Sequence, residues 1–181
     1  MVKWMFTTIP LSQRDILWKD FLLGNGTCTI GTDGCLLTCF TMLCQKMDVE
    51  QMNCLRINKG GYYGAMASTF DLLGGTTALK YIPHSSDGMR YTRIAFPETA
   101  KLKTHLDAGN PAIIEVNWYR RFRPLIWRWS YAMHYIVLMP NGQVYDPWPT
   151  PGETKSVCDL LEYGKDVGEA VVRAIYYEVI S

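Results

Sequence analysis

No stretch of this chain approaches the roughly 20 consecutive apolar residues that a membrane-crossing helix needs. Charge of one sign is also lacking: 18 Lys and Arg stand against 17 Asp and Glu, for a formal net charge of +1. That balance argues against a general nucleic-acid binder, whose domain is usually strongly basic. The 6 cysteines, at positions 28, 35, 39, 44, 54 and 158, include no CxxC pair, which weakens zinc-ribbon and thioredoxin readings. The N-terminal MVKWMFTTIP has one Lys and a short apolar patch but no small-residue cleavage site, so no signal peptide is expected. No internal repeat and no linker divides the chain.

What is present fits one globular domain over residues 1–181. The hydrophobic fraction is 48% and the charged fraction 19%, and the length is ample for a buried core. With no need of disulfides at this size, the cysteines are expected as reduced thiols in a cytoplasmic setting, most of them acting as small buried hydrophobes. The 6 Trp and 11 Tyr point to a large core or an aromatic-lined cleft.

Helix signals dominate the first half. Residues 1–12 read as an irregular arm, and Gln13–Leu23 as a short helix stopped by Gly24-Asn25-Gly26. The Gly- and Thr-rich TCTIGTDG reads as a loop. Cys35–Met47 has apolar residues at helical spacing, and Asp48 with Gln51 forms a capping box for a helix to about Asn58. Ala65–Leu73 is expected as a further helix before Gly74-Gly75. The texture then changes: Leu79–Ile82 and Tyr91–Phe96 read as short strands around the loop PHSSDG, Glu98–Ala108 as an amphipathic helix, Ala112–Trp118 as a buried strand and Glu169–Ile180 as a closing strand. The pattern is α+β, with a helical part at about 13–75 and a sheet part at about 79–181.

Between them, His134–Met139 and Val144–Asp146 form a hairpin candidate around Pro140-Asn141-Gly142. Proline favours the first central position of a type I turn, and glycine accepts a left-handed conformation, so a bulged three-residue loop is expected. Met139 then faces Gln143, and Asp146 faces Ile136, diagonally adjacent to His134. An imidazole beside a carboxylate is how a general base is oriented.

Cys35 follows TDG at a helix start, where backbone N–H groups and the dipole favour a thiolate. The bland alternative for Cys35 is one more buried cysteine, for His134 a satisfied core histidine, and for Asp146 a turn former before Pro147. Cys39 lies on the same helical face and reads as packing. Cys28 is the competing nucleophile but opens no helix. His84, in a polar loop, and His105, on the amphipathic helix, read as solvated. A zinc site from Cys35, Cys39 and His134 lacks any recognised spacing.

The segment Trp118–Tyr131, WYRRFRPLIWRWSY, interleaves arginines with aromatics. It reads either as a surface excursion with docked aromatics and wet guanidiniums, or as a cleft lip before His134. In the second case Trp118, Arg120, Trp127, Trp129 and, after the hairpin, Trp148 would grip an anionic or glycan-bearing substrate.

Taken together, Gln13-Arg14-Asp15-Ile16-Leu17-Trp18, Thr29–Cys35, Met42, Gly109-Asn110-Pro111, His134–Leu138 and Asp146-Pro147-Trp148 resemble the papain-like cysteine peptidases, in the branch of the bacteriocin leader-processing peptidases and their stand-alone relatives. The resemblance implies a helical lobe packed on an antiparallel sheet, with the active site in the cleft between them. It implies Cys35 as nucleophile, His134 as general base and acid, Asp146 as orienting carboxylate, and Gln13 as an oxyanion donor beside the Cys35 N–H. No metal or organic cofactor is required. The expected substrate is an amide bond of a peptide or a peptidoglycan stem, cleaved by a cytoplasmic or phage-delivered enzyme. The rival expectation is an inactive papain-like protein whose cleft binds a protein or nucleic-acid partner.

Overall fold

The computed structural model describes residues 6–45, 47–58, 78–82, 99–123, 125, 130–150 and 156–180. The expected helix at Ala65–Leu73, the strand at Tyr91–Phe96, and His84, Trp127 and Trp129 lie outside these residues. Within them the fold is α+β. The helices are α1 (Ile30–Asp33), α2 (Cys35–Cys44), α3 (Val49–Asn58), α4 (Thr99–Asp107), α5 (Trp118–Phe122) and α6 (Val167–Ala170). The strands are β1 (Ala78–Ile82), β2 (Ala112–Asn117), β3 (Met133–Leu138), β4 (Gln143–Tyr145), β5 (Val157–Asp159) and β6 (Arg173–Ile180). They form one sheet in the order β1-β6-β2-β3-β4-β5, with every neighbouring pair antiparallel.

Strands β2 and β3 are nearly continuous apolar runs because both faces of the sheet are covered. Alternation sends Val137 and Met139 to one face and Ile136 and Leu138 to the other. The first face packs on Leu37, Phe40 and Leu43 of α2 and Met52 of α3, with Phe40 edge-on to Tyr177 at 6.4 Å. The second face packs on Leu102 of α4, Leu160 and Tyr163. The capping box opening α3 is formed: Asp48 N donates to Gln51 Oε1 at 3.1 Å and Gln51 N to Asp48 Oδ1 at 2.8 Å.

Several sequence expectations are corrected. Residues 13–20 form successive turns rather than a helix. Ser12 Oγ takes the Arg14 N–H and Asp15 Oδ1 the Leu17 N–H, each at 3.0 Å, so local side-chain bonds compete with the helical ladder. Part of TCTIGTDG is the helical turn α1. The expected surface excursion begins as α5, because the Asn117 side chain accepts the Tyr119 N–H at 3.1 Å and caps it. The closing strand starts only at Arg173, after α6 capped by Asp166. His105 is not solvated: it is buried, its Nε2 lies 3.0 Å from the Pro111 carbonyl, and its ring sits edge-on to Tyr176. No helix among the described residues is long and apolar enough to cross a membrane.

Candidate active site

The β3–β4 hairpin decides where its side chains meet. Leu138 pairs with Val144 and Val137 with Tyr145, and Met139 N donates to Gln143 O at 2.8 Å. Of the three loop residues only Gly142 has a positive φ, +83°. This is the bulged loop that proline at position 140 favours. Continued one position further, the register sets Asp146 opposite Ile136, and His134 Nε2 lies 2.7 Å from Asp146 Oδ1.

Asp146 is fully buried, and each of its oxygens has two donors. Oδ1 accepts from His134 and from the Trp148 N–H at 2.8 Å. Oδ2 accepts from Arg121 Nη1 and from the Tyr163 hydroxyl, both at 2.5 Å. Burial alone would favour the neutral acid. The positive His134 ring, followed by the bonds from His134, Tyr163 and the Trp148 N–H, outweighs it and holds the carboxyl below its usual range. For His134 burial likewise favours the neutral ring, but the Asp146 charge and hydrogen bond, with the nearby Cys35 adding to them, push it up to about 9. The ring is therefore protonated at neutral pH.

Cys35 is the first residue of α2 and is half-buried. It follows α1 after a single residue, Gly34, where a Cβ would stand 2.4 Å from the Ile30 carbonyl oxygen. Only glycine fits so close to that backbone, and this junction aims the start of α2. The first N–H groups of a helix have no intrahelical acceptor, so they are available to an anion. Cys35 lies close enough to His134 to be among the groups that raise the ring. With Nε2 committed to Asp146, Nδ1 is the nitrogen left to face Cys35.

The other cysteines differ. Cys39 is fully buried, and burial, then the Cys35 and Asp146 charges, push its thiol well up. Cys28 is exposed, but a hydrogen bond to Asp33 and the charge of that carboxylate raise its thiol. Among the described residues no group of three or more His, Cys, Asp or Glu is arranged to hold a metal ion.

Gln13 is only 1% exposed. Its main-chain N–H donates to Pro147 O at 2.8 Å and its Nε2 to Gly31 O at 3.0 Å, which seats it between the segment after Asp146 and the turn leading into Cys35. Its Oε1 is buried without a hydrogen-bond partner. Ser12 Oγ donates to Pro149 O, so two successive residues lace the N-terminal turns to the same segment.

Trp148 stands edge-on to His134 with ring centres 6.3 Å apart, and Trp118 lies 5.3 Å from Trp148 and stacks on Phe122. The Arg14 guanidinium lies over Trp148 at 5.4 Å. Trp148 thus flanks the histidine, and Trp118 and Phe122 pack behind Trp148. Arg120, expected as a substrate contact, instead forms an ion pair with Glu169 at 2.8 Å. Adjacent residues of a helix point about 100° apart, so Arg121 turns inward and reaches Asp146. Neither Arg121 nor Tyr163 was assigned a role from the sequence. The Asn117 cap ahead of WYRRF was the available signal for Arg121, and none marks Tyr163.

A sulfur at a helix start, a protonated ring beside it and a pinned carboxylate behind the ring have the chemistry needed for acyl transfer to sulfur. Comparison with family models, curated proteins and solved structures finds no match for this chain.

Proposed function

We propose that this chain is a papain-like cysteine peptidase or amidase, with Cys35, His134 and Asp146 as its triad. The observation that carries this reading is that one buried ring, His134, is bonded to Asp146 and is also raised by the nearby Cys35 at the start of α2. The α+β architecture, with α2 packed on an antiparallel sheet, is compatible with it.

Cys35 Sγ attacks the amide carbonyl carbon, and the carbonyl π pair moves onto oxygen. The Cys35 N–H and the Gln13 amide are the donors proposed for that oxyanion. As the tetrahedral species collapses, the C–N bond breaks and His134 gives its proton to the leaving amine, which leaves a thioester. The now neutral His134 removes a proton from water, the resulting hydroxide attacks the thioester, and the acid departs as Sγ is released. Asp146 keeps the ring oriented and stabilises its charge throughout. The substrate class is a peptide or peptidoglycan stem amide, held against Trp118 and Trp148, in the cytoplasm or after phage delivery.

A second reading, binding without catalysis, is favoured by the 3% exposure of the His134 side chain. One experiment separates the two. The protein is treated with a peptidyl vinyl sulfone, whose addition needs both a thiolate and a proton donor, and the adduct is mapped by mass spectrometry. Modification at Cys35, lost in His134→Ala, supports the hydrolase. Modification elsewhere, or none, leaves the cleft as a binding surface.

A further inference from the structure

We propose that Arg121 and Tyr163 are positioning residues that occupy Oδ2 of Asp146, leaving Oδ1 alone to orient His134. The catalytic meaning of this rests on the thiol-hydrolase reading, whereas the geometry stands without it. A carboxylate turns about a soft, roughly two-fold torsion, so an unpinned Asp146 would present either oxygen to the ring or swing out of its plane. Here the turn is blocked. Arg121 Nη1 and the Tyr163 hydroxyl each lie 2.5 Å from Oδ2, while the Trp148 N–H holds Oδ1 at 2.8 Å.

The two residues come from separate elements, α5 and the residue after the 3-10 turn Leu160–Glu162. Arg121 is fixed in its own turn by Glu162, whose Oε2 lies 2.8 Å from Nε. Its side chain is only 9% exposed. Burial opposes the Arg121 charge, but the Tyr163 hydroxyl and the Asp146 carboxylate more than offset this. Burial and the same carboxylate keep Tyr163 a phenol, so its hydroxyl remains a donor.

The consequence is electrostatic as well as geometric. Asp146 lies between two cations, His134 and Arg121, and the second draws on the same negative charge that holds the proton on the first. Arg121 therefore loosens the grip of the ring on its proton. The other groups facing this centre are Cys35 beside the ring, the buried Cys39 and Cys158, and Glu162 on the far side of Arg121.

The test follows the His134 ring by NMR titration, its signals assigned by their loss in His134→Gln. In Arg121→Gln the ring midpoint is expected to rise by about one pH unit, a tenfold gain in proton affinity. Tyr163→Phe, which keeps the ring and removes one donor, should raise it by a smaller amount. Arg121→Lys, which retains the charge, should stay near the wild-type midpoint. If Arg121→Gln does not fold, Tyr163→Phe decides. Folded variants with lowered thermal stability but an unmoved midpoint would overturn the proposal and reduce both residues to packing. A shifted midpoint in a protein that never forms a vinyl sulfone adduct at Cys35 would instead sink the hydrolase reading and leave the positioning role intact.

Discussion

Asp146 and His134 meet across the diagonal of a hairpin, 2.7 Å apart, because the loop between their strands holds three residues and not two. Side-chain direction alternates along a strand, so a register shift of one residue would carry Asp146 to the opposite face. Deleting Gln143, which keeps the three loop residues, should produce that shift by setting Asp146 opposite Val137. Without its carboxylate the buried ring loses the influence that raises it, and burial then dominates. The His134 midpoint should fall from about 9 to below its ordinary 6.5. An NMR titration that still places it near 9 would sink the register argument.

Limiting iodoacetamide at neutral pH should label Cys35 before any other cysteine. Exposure alone would favour Cys28 and Cys54, the two exposed thiols. Cys28, however, is kept neutral by Asp33, whereas Cys35 stands beside a protonated imidazole at a helix start. Peptide mapping that finds Cys28 modified first would move the nucleophile away from the hairpin.

Thermal stability should depend on pH from both sides of the His134–Asp146 pair. The folded midpoint of His134, about 9, lies above its ordinary 6.5, so its contribution is complete below 6.5 and is lost as pH rises through about 9. Asp146 is depressed below its ordinary 3.8, so its contribution is complete above 3.8 and is lost as pH falls through the folded value. Melting temperature should therefore decline on the alkaline side, and His134→Gln should flatten that limb. An alkaline limb unchanged in the variant would mean that other groups produce it.

Gln13→Ala should lower turnover about a hundredfold, the order observed when one oxyanion donor is removed. Because Gln13 is buried and bonded to Gly31, the same change should also cost about 1 kcal/mol of stability. Turnover on any amide that the wild type cleaves, measured beside a melting curve, checks both. Unchanged turnover with lowered stability would make Gln13 a structural tie only.

Much of this arrangement was legible in local chemistry. The Asp48–Gln51 box, the apolar runs of β2 and β3, and the proline-led loop each depend on residues within a few positions of one another, and each forms as its pattern implies. The failures have physical causes too. Residues 13–23 carry a helical apolar pattern, yet Ile16 and Leu17 are 82% and 69% exposed while Ser12 and Asp15 capture the backbone. Strand β5 is three residues long, too short to show a period. The bonds of Arg121 and Tyr163 to Asp146 span 25 and 17 positions, and no pattern along the chain encodes such a meeting.

The sheet order also fixes when the fold can be completed. Strand β6, the last of the described strands, lies between β1 and β2, with Ala78 paired to Ile180 and Ala112 to Tyr176. Strands β2 to β5 follow one another in both chain and sheet, so they can pair as they are made. Until β6 arrives, one edge of β2 is unpaired, and its side chains are all destined for burial. Such an edge is a template for another chain, and contacts across so long a separation form slowly. Aggregation during synthesis should therefore be most acute just before β6 docks, and chaperones that shield apolar edges would act in that interval.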